Sequence, residues 1–154
     1  MKNMKFVRPT DELVRSIADN MRQSDIDEVM AASGTNPYDT IINSFAVSES
    51  SVVVTHNGQP LFVYGFSKPN ILSSSAIIWM LGVNDAYKYG KELMYYTPKV
   101  FDEMFLKCDL LYNYVHIKNT VSIAWLKRLG FTFDEPITYG VANEKFHKFY
   151  KSRN

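Results

Sequence analysis

The chain has 154 residues, 17 Lys and Arg against 16 Asp and Glu, and one cysteine. That length is one domain's worth, here residues 1–154, and a net charge of +1 gives no bulk electrostatic case for nucleic acid or an acidic membrane. One cysteine excludes an internal disulfide and a multi-thiolate zinc site within one chain, and no apolar run approaches the roughly 18 residues of a bilayer span. Arg8, Asp11, Glu12 and Arg15 break any signal-peptide core, which implies a soluble intracellular domain. Aromatic residues make up 14%, enough for a large aromatic core, an aromatic groove or a partner surface.

Residues 4–8 read as a first strand ended by Pro9. Thr10 then caps a helix in which Leu13, Val14, Ile17, Ala18 and Met21 recur at helical spacing to about Arg22. Ser24 or Asp25 opens a second helix that Gly34 stops, and residues 38–45 suit a third. Two β-rich runs, 51–55 and 61–66, flank Asn57-Gly58, the strongest short hairpin signal. The unbroken apolar run Ala76–Val83 suits a strand covered on both faces. A helix follows toward Lys107, interrupted at Thr97-Pro98 by either a new start or a kink. Residues 110–116 form a strand, Asn119 or Thr120 caps another helix, and Gly130 ends it in a left-handed conformation. Strands at 131–133 and 145–150 close the chain, the last alternating apolar and basic residues as a half-buried strand does. The order predicts an α+β fold around a mostly antiparallel central sheet, with one late βαβ crossover.

Three segments carry a family resemblance. They are FVRPTDELVRSIADNMRQSD at the start, IIWMLGV in the middle, and NTVSIAWLKRLGF with Asn119 eleven residues before Gly130. In this order they resemble the GCN5-related N-acetyltransferase (GNAT) superfamily. NMRQSDIDEV, IIWMLG, LLYNYVHIKNT and IAWLKRLGFTF are further similar to a phage subset of GNAT-like proteins, which includes the small internal virion protein of short-tailed phages. The resemblance implies a GNAT-like sheet with helices on both faces, and acetyl-CoA as the cofactor of an active member.

It also implies where the chemistry should lie. Active members carry a small-residue loop after the central strand, where backbone N–H groups at a helix start approach the coenzyme pyrophosphate. The matching stretch is Asn84–Glu92, with Gly90 as the first small residue but Tyr87 and Glu92 at the other positions. Lys88 and Lys91 would offset the charge of Asp85 and Glu92. Gly82 and Val83 would offer backbone groups to the coenzyme, and Asn119 would face its pantetheine arm or simply cap its helix. The family's acid tyrosine falls on Leu126, which cannot donate a proton, leaving Tyr139 or Tyr114 as substitutes. His116 is the first candidate base. Asp25, Asp27 and Glu28 are further candidate bases, although the run reads more as a solvated helix face than as a substrate-amine site, and His56 reads as turn chemistry. Asn113 either lines the cleft or bonds within it. No His, Cys or Asp spacing suggests a metal site.

Three functions follow. The first is a phage GNAT-fold protein in virion assembly or host interaction, with virion, head or host proteins as partners and acetyl-CoA chemistry degraded or absent. It would act in the host cytoplasm or on the virion. The second is an acetyl-CoA-dependent N-acyltransferase. The third is a small-molecule or nucleic-acid binding module reusing the cleft. Tyr87, Tyr89, Tyr95, Tyr96, Tyr112, Tyr114, Tyr139 and Tyr150 have no obvious core place, which predicts a filled or repurposed groove.

Overall fold

The computed structural model describes residues 3–154. The elements are β1 (Met4–Val7), α1 (Asp11–Asp19), α2 (Gln23–Ser33), α3 (Pro37–Val47), β2 (Ser50–His56), β3 (Gln59–Ser67) and β4 (Ser75–Gly82). A 3-10 turn (Asn84–Tyr89) then leads into α4 (Gly90–Met104), β5 (Leu110–His116), α5 (Thr120–Arg128), β6 (Thr132–Phe133), β7 (Ile137–Tyr139) and β8 (Glu144–Ser152). The strands make one sheet in the order β1-β2-β3-β4-β5-β8-β6, with β7 also on β8. Every pairing is antiparallel except β4 with β5, which α4 connects as the βαβ crossover.

The local rules explain most of this order. Asn57 and Gly58 both take positive φ, +52° and +80°, as a tight hairpin turn between β2 and β3 requires. Thr10, Asn36 and Asn119 each accept a backbone N–H from the first turn of their helices. Gly130 takes φ +94° after α5. At Thr97-Pro98 there is no new start: α4 runs through the proline as one helix, with Thr97 buried against the Tyr64 hydroxyl. Helices cover both sheet faces. Tyr64 on β3 reaches Thr97 of α4, whereas Trp79, of opposite parity on β4, donates to Ser48 at the end of α3 (2.8 Å).

Two departures from expectation position the site. First, α1 stops at Asp19, three residues before the helix end expected at about Arg22. Met21 instead forms an antiparallel bridge with Val83, at the end of β4. Second, β4 and β5 pair only through Ser75–Ile77 and Leu110–Tyr112, then diverge. The unpaired part of β4, Ile78 to Gly82, is roughly 13 Å long at the usual rise per residue.

Candidate functional site

This divergence opens a window in the sheet, and its two ends are closed differently. At the narrow end Asn113 replaces the missing ladder. Its amide donates to the Ile78 carbonyl (2.6 Å) and accepts the Tyr114 N–H (2.8 Å). Asn113 also lines the cleft, so both readings of it hold.

At the wide end α2 supplies two carboxylates three residues apart, hence on one helix face. Asp25 Oδ2 accepts the N–H of Gly82 on β4 (3.2 Å). Glu28 Oε1 accepts the N–H of His116 on β5 (2.8 Å). Asn119 joins them, its Nδ2 donating to Glu28 (3.1 Å) and Asp25 (3.4 Å). The Arg22 guanidinium donates to Asp25 (2.9 Å) and to Ser122 of α5 (2.7 Å). Asp25 is only 4% exposed, and burial raises its pKa despite Arg22 beside it. Burial likewise pushes Glu28 up to about 7, against the pull of the two N–H groups it accepts. The solvated-face reading is therefore wrong for Asp25 and Glu28 and holds for Asp27, which is exposed.

Between the two ends lies a cavity of about 540 Å³, within the range of small-molecule pockets. Trp79, Tyr114 and Tyr139 line it from the α2 face, and Ala86, Val121 and Trp125 from the α4–α5 face. The groove is thus not filled by its aromatic residues. Tyr87 and Tyr95 point largely to solvent instead, and Tyr114 stacks on Tyr139 at 4.2 Å. The Trp125 indole nitrogen and Arg22 Nε are buried without acceptors. Strand alternation turns the N–H and C=O of Met80 toward the window, like those of Ile78 and Gly82, and no strand pairs with them there.

The coenzyme expectation meets this geometry at Gly82 and Val83. Both backbone groups of Gly82 are taken, its N–H by Asp25 and its C=O by the Arg22 N–H (3.1 Å). Val83 N–H donates to Leu61 (3.0 Å), its C=O accepts from Ala86 (3.0 Å), and Asn84 N–H donates to Asn20 (2.9 Å). The edge is occupied by the chain's own α1–α2 linker, so the N–H groups of Gly82 and Val83 are both engaged within the chain. At the helix start, Lys88 lies 3.4 Å from Asp85 in an exposed pair, and Lys91 is exposed. Gly90 is ordinary right-handed helix at φ −56°, and a Cβ there would meet nothing within 4 Å. That open space at Gly90 and the cavity suit coenzyme A; the consumed β4 edge does not. The residues present do not fit the group laid along β4.

The other candidates separate as follows. Asn119 is 3% exposed and caps α5 with its amide wholly engaged, rather than facing an arm in the cavity. His116 is buried outside the main cavity, against a second pocket of about 460 Å³ beside Glu144. Its Nδ1 accepts the Lys118 N–H (3.1 Å), so Nε2 carries the hydrogen and donates to Glu144 (2.6 Å). No lone pair of His116 is left for a substrate proton. Tyr139 does line the cavity, its pKa raised by burial and by Tyr114. Leu126 also lines it, without a proton to give. His56 ends β2 and packs on Tyr89 at 4.4 Å. Among the described residues no cluster of His, Cys, Asp or Glu could hold a metal, and no helix is long and apolar enough to cross a membrane.

Sequence reasoning missed Arg22, Ser122 and the free edge at Met80. Arg22 meets Asn119 and Ser122 across 97 and 100 residues of chain, a pairing that no local spacing encodes.

The splayed β4–β5 pair, the crossover and the helices on both faces define a GNAT-fold protein. Solved structures agree at low sequence identity. Ard1 from Thermoplasma volcanium is 16% identical with a TM-score of 0.74, covering 99% of both chains. A ribosomal-protein-alanine N-acetyltransferase from Brucella melitensis is 13% identical with a TM-score of 0.71, covering 97% of this chain and 99% of its own. Spermidine N-acetyltransferase from Vibrio cholerae, solved with CoA and spermine, is 11% identical with a TM-score of 0.69, covering 99% and 96%. No protein-family model matches the chain. In sequence it is 33% identical over 96 residues to the probable scaffold protein gp13 of Escherichia phage T7, across 62% of this chain and 67% of that protein. The chain belongs to the family of that phage protein.

Proposed function

We propose that this chain is a phage assembly protein built on the GNAT fold, with its cleft withdrawn from coenzyme A chemistry. The observation that carries this reading is the β4 edge, whose Gly82 N–H and C=O are held by Asp25 and Arg22. Leu126 at the acid position and the kinship to a probable scaffold protein support it. A partner face is available at one pole. Ile71, Leu72 and Leu106 are 85%, 89% and 76% exposed, and Lys68 ties their loops together by donating to the carbonyls of Ile71 (3.3 Å) and Lys107 (3.2 Å). Adjacent exposed apolar side chains mark interaction surfaces more often than isolated ones do. Virion or head proteins, met in the host cytoplasm or on the particle, are the partners this reading names.

Sedimentation of assembling particles from infected cells tests it. The chain should travel with particles, and Leu72→Lys with Leu106→Lys should release it and lower particle yield. Recovery of the unmodified chain only as free protein, with full yield when it is deleted, would end the assembly reading.

A second reading, transfer of the acyl group of acetyl-CoA to an amine with the coenzyme thiol as leaving group, is favoured by Glu28. This carboxylate lines the cavity and is held at about 7, where a general base works best. It would take the proton of an amine entering from the α2 face. Transfer to a panel of primary amines, lost in Glu28→Gln with the fold intact, would promote this reading over the first. No transfer above background would remove it.

A further inference from the structure

The α1–α2 linker lies where the open edge of β4 should be. Asn20 accepts from Asn84 (2.9 Å), Arg22 donates its N–H to Gly82 (3.1 Å), and Met21 faces Val83 between them. These are the bonds of a short added antiparallel strand. Its continuation, Asp25, takes the N–H of the same residue, Gly82. The Arg22 guanidinium then crosses the window to Ser122 on α5, so the linker is pinned on both sides of the gap.

From this we infer that Asn20–Asp25 is a built-in strap, an intramolecular stand-in for an extended amide-bearing ligand arm, the class to which coenzyme A belongs. The strap closes the wide end of the window and reaches no further along the edge than Gly82, so it leaves the backbone groups of Met80 uncovered. An arm pairing along β4 must displace three backbone contacts and a buried ion pair before it gains any bond of its own. The inference deepens the reading above and rests on its premise that the cleft takes no coenzyme.

The strap can be undone without straining the backbone. Arg22 sits at φ −59°, which proline adopts, and Met21 before it makes a β-bridge, in keeping with the extended backbone preferred before proline. Arg22→Pro removes both the N–H to Gly82 and the guanidinium. Adding Asp25→Ala frees the Gly82 N–H and avoids leaving an unpaired buried charge.

Acetyl-CoA titration by calorimetry compares the unmodified chain with this double variant, its fold checked by circular dichroism. The unmodified chain should give no binding heat at millimolar coenzyme, and the double variant should bind at least tenfold more tightly. Micromolar binding by the unmodified chain would overturn the strap, and so would a folded double variant that still takes up no coenzyme. Should the variant not fold, the thermal midpoint of the unmodified chain decides. It should stay fixed on addition of millimolar acetyl-CoA, whereas a rise would show ligand bound to the native state and overturn the strap. A closed strap together with a chain that never meets particles would sink the assembly reading alone.

Discussion

The two ends of the β4–β5 window solve one problem with opposite chemistry. Both must satisfy backbone groups that the diverging strands leave behind. At the narrow end one neutral amide, Asn113, does so with two short bonds and no charge. At the wide end Asp25, Glu28, Arg22, Asn119 and Ser122 share the task, and burial works against both carboxylates. A neutral closure is insensitive to pH and to its neighbours. A charged one depends on every partner, so the wide end is where the window can be altered.

Breaking the charged end should cost most. Asp25→Ala strands the Arg22 guanidinium at 20% side-chain exposure and frees the Gly82 N–H, and should lower stability by about 3–5 kcal/mol in denaturant unfolding. Glu28 should give this end a pH signature that the narrow end lacks. Its carboxyl rises from 4.5 to about 7 on folding, so the folded state binds the proton more tightly than the unfolded one. Its contribution is complete below pH 4.5 and is lost as pH rises through 7. Glu28→Gln should flatten that fall, worth at most about 3.5 kcal/mol at about 1.4 kcal/mol per pKa unit. At the narrow end Asn113→Ala exposes one carbonyl and one N–H to the cavity and should cost about 2 kcal/mol, equally at pH 5 and pH 8. A pH-dependent loss there would erase the contrast. Remote from both ends, Gly58→Ala, at φ +80° with open space around it, should cost about 1 kcal/mol by thermal melting.

The difference between the ends also marks what could be read from the sequence. Hairpin, caps and crossover were legible because Asn57-Gly58, Thr10, Asn119 and Gly130 act over three or four residues. The strand at 110–116 was legible for the same reason, and Asn113 was placed within it. The strap was not. The apolar spacing through Met21 runs on as helix, and only the open edge at Gly82, some sixty residues later, offers Met21–Arg22 a better use. Asp25 and Glu28 looked like a solvated face because composition cannot tell a helix facing water from one facing a gap in a sheet. His116 looked like a base because its partners, Lys118 N–H and Glu144, are fixed by the β5 turn and by β8. The aromatic excess predicts a filled or repurposed groove; the cavity stays open, which removes filling, and tyrosines such as Tyr114 and Tyr139 form its walls.

Amide-resolved hydrogen exchange on the unmodified chain tests the closed edge most directly. Gly82 and Asn84 should exchange as slowly as Val83, whose N–H is held by Leu61 of the neighbouring β3. Exchange at Gly82 and Asn84 orders of magnitude faster than at Val83 would mean an open β4 edge, and with it a groove free to take a coenzyme arm.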